Sequence, residues 1–316
     1  NGNLNTSGSN YIYIAIRRSH KPPEAGTDVF KALTVAASEA GVKKTTDFVV
    51  DLSLQRVSRT GTGYAAAYDR LRGSKELRTN STSAETTASI EWDFNDGYIQ
   101  NFSNLDGASW NFRRAPGFFD VVTYTGNATA GRTIAHNLGA VPQMMIFKKR
   151  SSTSNWNVYT SSLGTSKAIR LNSGGAQINV SYFNGTAPTD AVFTIGAGDL
   201  NNSGGDYIAY LFASLEGISK VGTYTGTGNN INVDCGFTAG ARFVLIKRTD
   251  DLGSWFLWDS ARGINTGNES FLRLDQNTAE SSADHIDPLN SGFTVTSSAP
   301  ATLNASGGTY LFLAIA

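Results

Sequence analysis

Charge is scarce in this chain. Of 316 residues, 16% are Asp, Glu, Lys or Arg, against about a quarter in an average globular protein. The 26 basic residues balance the 26 acidic ones. With no basic excess to meet phosphates, nucleic acid is not expected as a partner. Cysteine is nearly missing. The single Cys235 excludes an intrachain disulfide framework and does not fix the compartment. The three histidines, His20, His136 and His285, lie far apart in sequence without cysteine partners. No zinc spacing exists, and no metal or cofactor is expected. No apolar run approaches the roughly eighteen residues of a membrane-spanning helix, so no membrane partner is expected. The motifs G-x-S-x-G and H-E-x-x-H, the P-loop, and a G-x-G-x-x-G after a strand are all absent. The sequence is read as non-catalytic.

What the chain does have is glycine, 33 residues of it, with abundant Asn, Ser and Thr. That is the composition of short strands joined by tight turns. It is also repetitive. LNTSGSNY (Leu4 to Tyr11) returns as LNNSGGDY (Leu200 to Tyr207) and LNASGGTY (Leu303 to Tyr310), with a degenerate copy, SNLDGASW, at Ser103 to Trp110. Other landmarks keep the same spacing. RLRG at Arg70, SSLG at Ser161 and SARG at Ser260 are followed by LRTN at Leu77, IRLN at Ile169 and LRLD at Leu272. Then come Ala84-Glu85, Ala176-Gln177 and Ala279-Glu280.

A period of roughly 100 residues marks an array of similar units. The expectation is three tandem repeats over 20–118, 119–216 and 217–316. Residues 1–19, with the alternating YIYIAI, read as the terminal strand of a further repeat upstream.

Between Val121 and Ala213 about eight short runs alternate, with turn signals every 8–12 residues. This predicts an all-β fold of three β-sandwich repeats, jelly-roll or lectin-like. The links FRRAPGFFDV and SLEGISKV are short and favour stacking into a stiff rod. One stretch, DVFKALTVAASEAG (Asp28 to Gly41), carries a 3.6-residue period and is read as a helix or loop excursion.

Few residues stand out as chemistry. Trp156 and Trp255 occupy equivalent positions, as do Tyr159 and Trp258, which fits core packing as well as sugar stacking. Arg78, Arg170 and Arg273 also coincide, as structural pairs or as a repeated anion site. Glu91, Asp93 and Asp96 cluster in EWDFNDG. Paired carboxylates could serve glycoside cleavage or calcium. The other repeats lack the pair, so a solvated hairpin tip is the plainer reading. The segment around these acids varies most between repeats: TTASIEWDFNDGY, INVSYFNGTAPTD and SSADHIDPLNSGF. Its Asn, Asp and Thr, with Trp92, Tyr182 and Phe183 as exposed aromatics, make it the candidate ligand-binding surface.

Several strings resemble large repeat proteins of marine tailed bacteriophages. They are YIYIAIRR, LRGSKEL with TNSTSAE, RRAPGFFDVVTYTGNATAGRTIAHNLGAVPQMMIFKKR, and LNNSGGDYIAYLFA. The resemblance spans nearly the whole chain. It is closest from Phe112 to Ala213 and looser in the last hundred residues. It implies a virion structural protein, a tail-fibre or appendage segment that attaches the particle to host surface glycans. The alternatives are a head-fibre or capsid-decoration protein and a polysaccharide depolymerase. The resemblance further implies a homo-oligomer, with a trimer favoured, contact with other virion proteins, and a place on the virion. It carries no catalytic residue.

Overall fold

VVTYT alternates, and an alternating strand needs a partner along its edge and a cover for its apolar face. In a computed structural model, which describes residues 21–39, 41–100 and 106–316, Phe119–Thr125 finds that partner in Asp206–Phe212, antiparallel from Phe119↔Phe212 to Thr125↔Asp206. The sheet continues through Met144–Lys149, Trp156–Thr160, Lys167–Arg170 and Ile178–Asn179. The fold is all-β.

The same strand order appears twice more. The first sheet runs Phe30–Val35, Gly107–Phe112, Leu52–Arg56, Ala65–Asp69, Lys75–Arg78 and Thr86–Thr87. The third runs Ser219–Thr225, Thr309–Ile315, Phe243–Arg248, Phe256–Asp259, Glu269–Arg273 and Ser281–Ala283. In each, the last strand of the stretch returns to lie between the first strand and the third. The expected strand at residues 11–16 lies outside the described residues.

Each large sheet is covered on one face by a small one, built around Gly97–Gln100, Val192–Ile195 or Gly292–Val295. The layer between them is apolar: Tyr68 and Tyr98 in the first unit, Phe147 and Phe193 in the second, Trp258 and Phe293 in the third. These are sandwiches. They do not stack end to end as the short links predicted. The opposite faces of all three large sheets meet in one further core, with Leu54 and Trp110, Ile146 and Trp156, Leu245 and Trp255 in a single cluster. The physical reason is visible along the strands. Leu52–Arg56 and Trp156–Thr160 are buried at every position, so both faces need cover, and only one is covered within its own unit.

The shared core is filled by complementary sizes. Register makes Phe30, Phe119 and Ser219 equivalent, likewise Phe112, Phe212 and Ile315, and likewise Leu52, Met144 and Phe243. Where the third sheet has the small Ser219 and Ile315, it has Phe243 in place of Leu or Met. The Phe243 ring touches Phe30 at 5.2 Å and Phe112 at 5.9 Å.

The LNxSGxxY stretches form the turns into Asp206–Phe212 and Thr309–Ile315, with Gly204 at φ 68° and Gly307 at φ 78°. Their Asn staples the YTG turn opposite: Asn201 Oδ1 accepts Asn127 N–H at 2.9 Å, and Asn304 Oδ1 accepts Thr227 N–H at 3.0 Å. Tyr124 and Tyr224 donate to the carbonyls of Leu200 and Leu303. Gly107 is different. It is extended, and a Cβ there would lie 2.8 Å from the Arg56 carbonyl oxygen.

The helical period at Asp28–Gly41 is overruled. That stretch holds the strand Phe30–Val35, flanked by short 3-10 turns at Gly26–Asp28 and Ala37–Glu39. Pairing with Gly107–Phe112 over six residues, and Phe30 and Val29 sinking into the shared core, outweigh a local period of about four turns.

Candidate functional site

The residues that distinguish this fold chemically lie along the seams where one large sheet meets the next. At equivalent register positions stand Arg56, Lys148 and Lys247, each essentially fully buried. Each points at main-chain carbonyls of a neighbouring sheet's loop. Lys148 Nζ donates to Thr82 O at 3.0 Å and to Ser154 O at 2.8 Å. Lys247 Nζ sits among Gly174 O, Gly175 O, Arg248 O and Gly253 O at 2.6–3.3 Å. Arg56 donates to Gln276 O and Thr278 O.

The second sheet thus holds the first, the third holds the second, and the first holds the third. No carboxylate lies within ion-pair distance of these three cations among the described residues. Burial pushes Lys148 and Lys247 each down to about 8, and Arg56 down to about 10.

Two tryptophans reinforce the first two seams. Trp156 Nε1 donates to Arg78 O and Trp255 Nε1 to Arg170 O, both at 2.9 Å. The equivalent residue in the first sheet is Ala65. Carboxylates reinforce two seams as well. Asp69 pairs with Arg72 and accepts Tyr210 O–H at 2.7 Å from the second sheet. Asp259 pairs with Arg262 and accepts Trp110 N–H at 2.7 Å from the first. In the remaining seam, which Lys247 clamps, Thr160 and Leu163 stand where the other seams have the carboxylate and the arginine, so no such ion pair occupies that position. The Glu of the Ala-Glu landmark serves the same joints: Glu85 takes a bidentate Arg150 at 2.9 and 3.0 Å, and Glu280 takes Arg262 at 3.0 Å.

One place breaks this regularity. Asn80, Asn172 and Asp275 each follow the strand ending in Arg78, Arg170 or Arg273. Asn172 is fully used: Oδ1 accepts Trp156 N–H at 2.8 Å, and Nδ2 donates to Asn155 Oδ1 at 3.0 Å. Asp275 accepts Trp255 N–H at 3.1 Å. The Asn80 Oδ1 is buried without a hydrogen-bond partner among the described residues.

Asn80 borders a hollow of about 290 Å³ between the first and third sheets, with Thr62, Tyr64, Arg78 and Asn277 around it. Arg78 lies over the Tyr64 ring at 3.8 Å, and its Nε donates to Glu76 at 3.1 Å. The loop is pinned by Gly63 N–H on Asn277 O at 3.2 Å. A Cβ at Gly63 would come within 2.7 Å of Ser58.

The aromatics expected at the variable loops are elsewhere in function. Trp92 is 6% exposed and Phe183 is 1% exposed. Trp92 packs on Tyr98, and its Nε1 donates to Gly73 O at 3.0 Å. Phe183 packs on Phe147 and Tyr159. Both close the outer cores, because the loop between sheet and cover needs an apolar plug. Tyr182 alone remains partly exposed, its hydroxyl donating to Asp199 at 3.0 Å. Ahead of it the strand Ile178–Asn179 is short and gives way to a turn at Asn184 (φ 50°) and Gly185.

Among the acids, Asp96 is paired with Lys43 at 2.5 Å, while the buried Trp92 leaves Glu91 and Asp93 facing outward on either side of it. Trp156, Trp255, Tyr159 and Trp258 are buried. Arg273 lies over Phe256 and Phe271. The signal that sequence reading missed was the repeated basic residue at the end of MMIFKK and FVLIKR, which looks like a strand end and is a buried clamp.

A family model described as a domain of unknown function (DUF7483) matches residues 27–316, and the chain belongs to that family. No curated protein and no solved structure matches it.

Proposed function

We propose that this DUF7483-family chain is a non-catalytic structural segment of a bacteriophage virion, a tail-fibre or appendage piece that serves attachment to host surface glycans. The observation that carries the reading is the closed ring of three sheets around one core. Buried charges such as Lys148, Lys247, Asp69–Arg72 and Asp259–Arg262 lock one sheet to the next. A body whose buried ionisable groups are spent on joints is built for stiffness. The resemblance to marine phage repeat proteins supplies the setting.

Homo-oligomerisation and contact with other virion proteins belong to the same proposal. The ring already uses the inner faces of the sheets, so a partner must meet the outer cover sheets or the strand edges. The test is immunogold labelling of purified particles with antibody against this chain. Label on a tail appendage supports the reading. Label confined to the capsid supports the decoration role instead, and particles without label contradict both.

A further inference from the structure

We propose that the hollow between the first and third sheets, bordered by Thr62, Tyr64, Arg78, Asn80 and Asn277, is a binding site for a neutral saccharide unit. The molecule contains its own control. At the two equivalent seams the residue in the Asn80 position is spent on the backbone of the adjacent Trp, as Asn172 on Trp156 and Asp275 on Trp255. At this seam the Asn80 Oδ1 is buried and has no partner among the described residues. A buried acceptor without a donor is destabilising, so a ligand hydroxyl that reached it would recover that loss.

The neighbours offer the rest. The Asn277 amide and the Thr62 hydroxyl are exposed and make no side-chain hydrogen bond among the described residues. Both can donate and accept. The single full charge at the rim, Arg78, has its side chain 48% exposed and is already balanced by Glu76, which disfavours an anion. Tyr64 contributes only the partly exposed edge of its ring, since Arg78 covers one face and the ring packs against the outer core. A volume of about 290 Å³ lies at the small end of ligand sites and fits one sugar ring. The backbone around it is fixed from both sides, by Trp156 on Arg78 O and by Gly63 on Asn277 O.

The inference deepens the attachment reading but stands on the seam's own chemistry, so it is tested on the purified whole chain rather than on particles. Saturation-transfer NMR is run with galactose, mannose and N-acetylglucosamine, with glucuronate and inorganic phosphate as charged competitors. At least one neutral sugar is expected to receive saturation from the protein, and neither charged probe to displace it. Asn277→Ala and Thr62→Val, both at exposed positions, are each expected to weaken binding about threefold to tenfold with unchanged Tm. Asn172→Ala, at the satisfied equivalent position, is expected to lower Tm and leave the affinity unchanged. Absence of transfer to any neutral sugar, displacement by phosphate or glucuronate, or unchanged affinity in both Asn277→Ala and Thr62→Val overturns the proposal. Each of these results is independent of where the chain sits on a particle.

Discussion

The indole N–H of Trp110 donates to Asp259 Oδ2 at 2.7 Å, joining strands that lie 149 residues apart in sequence. Both groups are buried, and Asp259 is held from its other side by Arg262 at 2.6 Å. The Arg262 guanidinium also lies over the Trp110 ring, at 5.7 Å. Together with the Arg56 clamp on Gln276 O and Thr278 O, this contact closes the ring of sheets, third onto first. Replacing Trp110 with Phe keeps the ring contact in the core and removes the donor. The expected loss is about 1–3 kcal/mol in urea unfolding, because a charged acceptor is left one bond short. A variant as stable as the parent would show that closure does not depend on this bond.

The buried lysines set a pH dependence. Lys148 and Lys247 each titrate near 8 in the folded chain, because burial penalises the ammonium, and near 10.5 when unfolded. Between these values the unfolded state binds more protons, so stability rises with pH from about 8 to about 10.5. Lys247→Met is expected to flatten part of that rise. It is also expected to destabilise the protein at neutral pH by about 1–3 kcal/mol, since Gly175 O and its neighbours lose their donor. Thermal unfolding across that pH window, wild type against variant, reads both effects.

Trp92→Ala and Phe183→Ala are expected to cost about 3–5 kcal/mol each, as core truncations do. Tyr182→Ala, at a partly exposed site, is expected to cost far less. Chemical denaturation of the three variants separates plug from surface. A Trp92→Ala variant of parental stability would contradict its placement in the outer core.

Cys235 is 4% exposed, and burial pushes its thiol up to about 12. It is expected to resist iodoacetamide at pH 8 while the chain is folded and to react once it is unfolded. Mass spectrometry before and after denaturant gives the answer.

The all-β class was legible because alternation and turn residues are local signals: VVTYTG and YIAYLFA announce themselves. The order of strands was partly legible too, since LNxSGxxY marks the turn into two of the three central strands, Asp206–Phe212 and Thr309–Ile315. The shared core was not. A strand such as MMIFKK, buried on both faces, reads the same whether its second cover is its own unit or another's. Lys148 and Lys247 carried a misleading sign, because a basic residue at a strand end ordinarily faces water. Trp92 and Phe183 misled for the converse reason: a polar loop around an aromatic resembles a recognition loop when it is a lid with its plug turned inward. The hollow beside Asn80 rests on a contact that is absent at one seam and present at two, and only the equivalence of positions in three dimensions exposes it.

The central claim is that three sheets fold as one closed body around one core. Hydrogen-exchange mass spectrometry on wild type and Trp110→Phe tests it most directly, followed in the central strands Gly107–Phe112, Asp206–Phe212 and Thr309–Ile315. In one cooperative body these strands exchange only through a common opening, and Trp110→Phe lowers the protection of all three by the same factor. Loss of protection confined to the strands flanking Trp110, with Asp206–Phe212 unchanged, would contradict the closed ring and restore three independent sandwiches.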